Sequence, residues 1–365
     1  DMDSIDSQIN AEIGLPSPPA IAVRILEAVK REENTFDELA DILTSDPALT
    51  VRILKVANSS FYSLPNKVDS MQRALAILGS NALKNIALSF IITREMRPHS
   101  DGAFDFDLFW KRSVTAAVSA DLVAGKTGTP DEDAFVKALL QDIGIVVMYL
   151  SDGELYARIL EEKRLSTHPL EAIEKRYFGF DHQQVGRSVL KRWGLPASIY
   201  EPVGCHHFTR SDSAKHTVAN DLLMISDRLS AIYHGMRSAE KIRQVAGILE
   251  SRYAMGMEDV TALVDAVASR SIEVMSFFDI DPGEMKPFSQ MLQDANAELS
   301  RLNVSYEHLV IELKKANEEA QTLARELQAA NAKLRDMALR DGLTGLYNHR
   351  YFHELLETEI RRALR

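Results

Sequence analysis

Asp46-Pro47-Ala48-Leu49-Thr50-Val51-Arg52-Ile53-Leu54-Lys55-Val56-Ala57 reads as the entry and body of one helix. Asp46 supplies an acceptor for the N–H groups that a first turn leaves unbonded, and Pro47 sits where its missing N–H costs little. Leu49, Ile53, Val56 and Ala57 then recur at helical spacing. The same pattern extends outward: from Leu15 to about Phe288 short apolar segments alternate with Pro and Gly, with almost no strand-like alternation. Helices are expected from Met71 to Leu78, Ser113 to Ala124, Glu132 to Tyr149, His182 to Trp193 and Val218 to Tyr233. Several are apolar on more than one face, as helices packed inside a bundle are. An all-α domain is expected here.

After Phe288, Pro and Gly disappear until Gly342 and a strict alternation of three- and four-residue steps begins. Leu292, Ala295, Leu299, Leu302, Tyr306, Leu309, Leu313, Ala316, Ala320, Leu323, Leu327, Ala330, Leu334 and Met337 fill every a and d position of a heptad repeat. A lone helix would expose this seam, so a second identical chain is expected alongside it, forming a parallel homodimeric coiled coil roughly 70 Å long. The alternative is a long helix packed on its own globular domain. The Ala layers at Ala316, Ala320 and Ala330 make the seam weak, which suits helices that shift in register or rotation. The expected organisation is an N-terminal extension (1–13), a helical domain (14–288), a coiled-coil helix (289–340) and a C-terminal fragment (341–365) too short to be a domain.

Composition narrows the function. A chain of 365 residues with 45% hydrophobic content has enough for two or three domains. Its single cysteine, Cys205, makes neither an intrachain disulfide nor a thiolate zinc site, as expected of a cytoplasmic protein. With 53 acidic against 42 basic side chains, the net charge of -11 repels a phosphate backbone, so no nucleic-acid partner is expected. No unbroken apolar run approaches the roughly 20 residues of a membrane span, so no membrane partner is expected either. Asp1 ahead of Met2 reads as an addition. Cys205 beside His206 invites a nucleophile reading, but adjacent helical residues point about 100° apart, so a structural thiol is expected. Gly125-Lys126-Thr127 mimics the end of a phosphate loop but lacks the earlier glycine, Ala120 standing there instead.

Asp142, His182, His206, His207 and Asp227 carry the chemistry of a divalent-metal site, and a helical bundle can bring such distant groups together. Leu15-Pro16, Ser45-Asp46-Pro47-Ala48-Leu49, Ala57-Asn58-Ser59, Ala76-Ile77-Leu78-Gly79, Phe109-Trp110-Lys111-Arg112-Ser113, Leu139-Leu140-Gln141-Asp142-Ile143-Gly144, Phe178-Gly179-Phe180-Asp181-His182, Trp193-Gly194-Leu195-Pro196 and His206-His207 together resemble the HDOD domain. That family is related to the HD-superfamily metal phosphohydrolases, and the resemblance covers about three quarters of the chain. It implies an HD-like helical bundle whose metal site is degenerate. Arg112 stands where active relatives carry a metal-binding His, Gln141-Asp142 replaces their His-Asp pair, and Asp227 matches their distal aspartate, with Asp221 close by. Arginine keeps its proton and has no acceptor, so at a ligand position it repels a dication and pairs with Asp142 and Asp227 instead. No phosphohydrolase activity is expected, because no metal would lower the pKa of water or hold a phosphate. Asp142, His182, His206 and His207 match positions that hold a second metal in binuclear relatives, so one residual divalent ion is the alternative expectation to no cofactor at all.

Asp341-Gly342-Leu343-Thr344-Gly345-Leu346-Tyr347-Asn348-His349-Arg350-Tyr351-Phe352 resembles the opening of a GGDEF domain, the diguanylate cyclase fold, with His349 where Arg is commoner. The resemblance implies that a longer parent makes cyclic di-GMP from GTP, with Mg, while this stretch lacks the Gly-Gly-Asp/Glu-Glu-Phe loop. Three functions are expected as alternatives. The first is a non-catalytic sensor that binds a small molecule or protein and controls the attached GGDEF domain through the stalk Leu299, Leu302, Tyr306, Leu309, Leu313, Leu323, Leu327 and Leu334. The second is a residual metal-dependent phosphohydrolase. The third is a recruiting scaffold with Phe61 and Tyr62 as contacts.

Overall fold

The computed structural model describes residues 2–30, 36–59, 62, 66–97, 104–207, 217–234 and 238–364. Its helices run, in order, α1 Met2–Ile13, α2 Ala20–Lys30, α3 Phe36–Thr44, α4 Pro47–Ala57, α5 Met71–Glu95, α6 Phe106–Thr127, α7 Ala134–Leu140, α8 Ile143–Ser151 and α9 Gly153–Leu165. They continue as α10 Leu170–Phe178, α11 His182–Arg192, α12 Ala197–Val203, α13 Val218–Tyr233, α14 Ser238–Tyr253, α15 Met257–Phe277, α16 Phe288–Leu339 and α17 His349–Ala363. No strand occurs among the described residues, and the all-α expectation holds. The chain divides into two units, Asp1–Met291 and Leu292–Arg365.

In the first unit α6 lies between two buried apolar clusters. Trp110, Val114 and Val118 of α6 belong to the larger cluster, with Ile53 of α4, Leu88 of α5 and Val185 of α11. Ala116, Ala120 and Val123, on the opposite face, belong to the smaller one with α13, α14 and α15. A helix buried on two faces explains why the Ser113–Ala124 segment is apolar all round. The N-terminal α1 joins the larger cluster through Ile9 and Ile13.

The α4 entry forms as its sequence dictates. Asp46 takes an extended backbone, and its Oδ1 accepts from the Leu49 N–H at 3.0 Å while Oδ2 accepts from Arg94 at 3.0 Å. The Leu49 N–H first, and the Arg94 guanidinium second, hold the Asp46 carboxyl below its ordinary value of 3.8. A group with a depressed folded pKa stabilises the fold above its unfolded pKa, and that contribution disappears as pH falls through the folded value. Asp46→Ala is therefore expected to cost about 1 kcal/mol at neutral pH, and urea unfolding should show the gap to wild type narrowing below about pH 4.

Two expected helices are changed by tertiary structure. The helix from Met71 continues past Leu78 to Glu95, but bends at Gly79, whose φ of 83° and ψ of 164° suit glycine alone. The helix expected from Glu132 to Tyr149 is two, broken at Gln141-Asp142. Met71–Glu95 and the stretch Ala134–Ser151 are long and apolar enough on average to cross a bilayer, although polar residues interrupt both. Their most apolar windows are 61% and 67% buried inside the bundle, as core helices are. Tyr62, expected as an exposed contact, is half-buried against the larger cluster, and Phe61 lies outside the described residues.

In the second unit α16 runs unbroken, and its seam residues Leu299, Leu302, Tyr306, Leu309, Leu313, Leu323, Leu327 and Leu334 are exposed. The turn after it is built from the Asp341–Asn348 motif. Asp341 Oδ1 accepts from the Leu343 and Thr344 N–H groups and the Thr344 hydroxyl, at 2.9 to 3.3 Å. Asn348 donates to Ala338 O at 2.7 Å and caps α17 by accepting from the Tyr351 N–H at 3.0 Å. Arg340 donates to Gly345 O at 2.8 Å and lies 5.2 Å from the Tyr347 ring centre.

Candidate functional site

The break between α7 and α8 places Asp142. It occupies the N-cap position of α8, yet its side chain makes no capping bond and turns instead toward imidazoles from other elements. His182 is the first residue of α11, whose start is fixed by a capping box between Asp181 and Gln184. Glycine lets these two helices meet: a Cβ on Gly144 of α8 would stand 1.9 Å from the His182 carbonyl oxygen. Any side chain at Gly144 would therefore push Asp142 away from His182. His206 and His207 come just after α12.

Asp142, His182, His206 and His207 each offer one ligand atom, and these atoms all lie within 4.8 Å of one another. Asp142 Oδ1 is 3.2 Å from His206 Nε2 and 3.6 Å from His182 Nε2. The far side of each ring settles its proton. His206 Nδ1 lies 2.8 Å from Val203 O, a pure acceptor, so Nδ1 carries hydrogen and a neutral His206 turns a lone pair on the carboxylate. His182 Nδ1 lies 2.6 Å from Glu174 Oε2 and donates to it, leaving Nε2 buried without a hydrogen-bond partner among the described residues. Lone pairs and a carboxylate that converge in this way need either protons or a cation. Carboxylate and imidazole, with Glu174 orienting one ring from behind, are a donor set that fits a divalent metal.

Glu174 is the residue that sequence reasoning missed. It is completely buried on α10 and accepts from the Tyr156 hydroxyl, from the His182 N–H at 2.9 Å and from His182 Nδ1. Burial pushes the His182 pKa down, but Glu174 and Asp142 outweigh it and raise the ring to about 9. Burial also works to raise Asp142, and the His206 bond with the surrounding imidazoles overcomes it, holding the carboxyl far below its ordinary value. His207 goes the other way, to about 2, through burial first and then through repulsion from the neighbouring rings, His206 and His182, when these carry a second proton.

Arg112 and Asp227 form the other half of the site. The guanidinium donates to Asp227 Oδ1 at 3.3 Å, one of the two pairs expected from the residue types; Asp142, the other expected partner, faces His206 and His182 instead. Asp221 is paired with Arg252 and is not the aspartate facing Arg112. Burial first, then the Asp142 charge, raise the Asp227 pKa, and Arg112 opposes them. Gln141 is buried with its side-chain oxygen unpartnered among the described residues. Cys205 is half-buried, and its thiol donates to Glu201 O at 3.2 Å, away from any nucleophilic role with His206.

Residues 15–209 match the HDOD domain family. The chain belongs to that family. An HDOD domain protein with unknown function from Geobacter sulfurreducens shares the fold at TM-score 0.60 and 23% identity, over 76% of this chain and 98% of that one. A candidate phosphohydrolase from Shewanella amazonensis SB2B matches at TM-score 0.62 and 21% identity, over 76% and 99%. A candidate signal transduction protein from Marinobacter aquaeolei VT8 matches at TM-score 0.58 and 20% identity, over 76% and 66%. A curated, uncharacterised protein of Treponema pallidum (strain Nichols) is 22% identical over 198 residues, which span 53% of this chain and 37% of that protein. The HDOD chain thus covers little more than a third of that relative's length.

Proposed function

We propose that this HDOD protein is a cytoplasmic, dimerising signal-transduction module that does not hydrolyse phosphodiesters and acts through α16 on a diguanylate cyclase domain beginning near Asp341. Arg112 carries the first part of this reading. A permanent cation 3.3 Å from Asp227 occupies the place of one metal and neutralises the carboxylate that would have bound it. The exposed heptad seam supports a homodimer, and the Asp341–Asn348 turn is the motif that resembles the cyclase opening. A cyclase that joins two GTP molecules needs two facing half-sites, so the spacing of paired α16 helices would govern its output. A signal ligand acts if it prefers one arrangement of the pair over another.

Inserting four residues at Ala316 in a form of the protein that carries a complete cyclase domain shifts the heptad phase. Cyclic di-GMP production is expected to change several-fold, and unaltered production would refute the coupling. Manganese-supplemented assays on bis-p-nitrophenyl phosphate are expected to show no turnover.

One observation supports a single residual metal alongside this regulatory role. The unpartnered buried Nε2 of His182 points to Asp142, and together with His206 and His207 these residues would hold one divalent ion. Such an ion supplies Lewis-acid chemistry when bound, but here its effect would be structural, tying α8, α11 and the segment after α12 together.

A further inference from the structure

A cleft of about 540 Å³ lies elsewhere in the first unit, where α5 bends at Gly79. Phe90, Phe135, Val274 and Phe278 give it apolar walls from α5, α7 and the end of α15. Its lining carries hydroxyls, from Tyr62, Ser80 and Ser89, together with amides and carboxylates. Asn85 is 5% exposed, and its Nδ2 donates to Glu132 O at 2.9 Å and Asp133 Oδ1 at 3.1 Å. Both amide hydrogens are thereby committed, which fixes the orientation of the group and leaves Oδ1, on a residue that lines the cleft, buried with no donor among the described residues. A buried acceptor left this way is costly, and a bound donor would recover that cost.

Asp121 of α6 lines the same cleft, and no hydrogen bond reaches its carboxylate among the described residues. Burial raises its pKa, and Arg270 is the cation that counteracts this. The other two carboxylates on the lining are answered locally, Asp131 by Lys137 at 2.6 Å and Glu132 by Asn81 at 2.8 Å. Asn85 Oδ1 and Asp121, which has Arg270 as a charge partner but no hydrogen bond among the described residues, leave room for a hydrogen-bond donor with positive charge, and the aromatic walls suit an apolar body. An anion would meet three carboxylates. A bare metal ion would find carboxylates that already face Lys137, Asn81 and Arg270.

We propose that this cleft binds a small organic ammonium compound, its protonated nitrogen directed at Asp121 and Asn85 Oδ1 and its ring or chain held between Phe90, Phe135 and Phe278. The site is separate from the histidine cluster and does not depend on any domain beyond α16. Calorimetric titration of the full chain with tryptamine and phenethylamine is expected to show saturable binding. Indole-3-propionate, with the same ring and the opposite charge, is expected to bind at least about tenfold more weakly. Asp121→Asn, nearly identical in shape, is expected to weaken the amines by about tenfold or more. Independently of any variant, a diazirine-bearing tryptamine is expected to photolabel the wild-type chain within residues 78–90 or 131–135. Failure of both amines to saturate at millimolar concentration, equal affinity for the acid, undiminished binding by Asp121→Asn, or labelling confined to other segments would each overturn the proposal.

Discussion

Glu174→Gln is expected to lower the affinity of the chain for manganese or zinc by 10–100-fold, and Glu174→Ala to destabilise the fold by about 3 kcal/mol or more. Glu174 touches no prospective metal. Its carboxylate fixes which nitrogen of His182 carries hydrogen and so which nitrogen faces Asp142. Glutamine keeps the volume but answers one donor with a weaker, neutral oxygen, and the amide nitrogen then competes for the same space. Alanine removes the acceptor for three donors at once, at a position with no access to water. Isothermal titration reads the first effect and urea unfolding the second. A Glu174→Gln protein with wild-type metal affinity would show that the ring is not oriented from behind. Asp131→Asn, on a carboxylate bound to Lys137, should leave metal affinity unchanged.

The contrast between Glu174 and its ligand neighbours shows what the sequence discloses. Asp142, His182, His206 and His207 stand out because histidines are few in this chain and each of the four sits in a motif, and the fold brings all four together. Glu174 is one acid in the run Leu170-Glu171-Ala172-Ile173-Glu174-Lys175, and nothing in its spelling separates it from the more exposed Glu171. Only its place beside the buried Ile173, eight residues before His182, hinted at an inward face. The helix entry at Asp46 was legible because capping is local chemistry. The break at Gln141-Asp142 was not, since neither residue is a helix breaker and the interruption is set by the packing of α8 on α11. The Gly79 bend was visible as a glycine, but the cleft it opens depends on α6, α7 and α15, far away along the chain.

Leu309→Glu combined with Leu313→Glu is expected to convert the proposed dimer to monomer at micromolar concentration. The two positions are successive d and a residues of α16, and their side chains are 62% and 68% exposed in the single chain. Burying a leucine is worth roughly 1.5–3 kcal/mol, so four leucines in a pair of helices contribute roughly 6–12 kcal/mol as an upper estimate. Losing even half of that weakens association by more than about a hundredfold. Sedimentation equilibrium reads the outcome, with Glu318→Lys, on the face opposite the seam, as the variant expected to stay dimeric. A chain that is monomeric before any substitution would remove the homodimer from the proposal.

The turn at the end of α16 bears on this in another way. Helix ends that pass into a loose linker lose angular information within a few residues. Here Asn348 is tied back to Ala338, Arg340 to Gly345, and Asp341 closes the loop between them. The turn works as a bracket, and α17 leaves at an angle set by the last residues of α16. Adding one residue to α16 would turn that bracket by about 100° and advance it about 1.5 Å. Under the proposed coupling through α16, the number of residues between Phe288 and Leu339 is itself a setting, like the tooth count of a gear, and chain length becomes a heritable control.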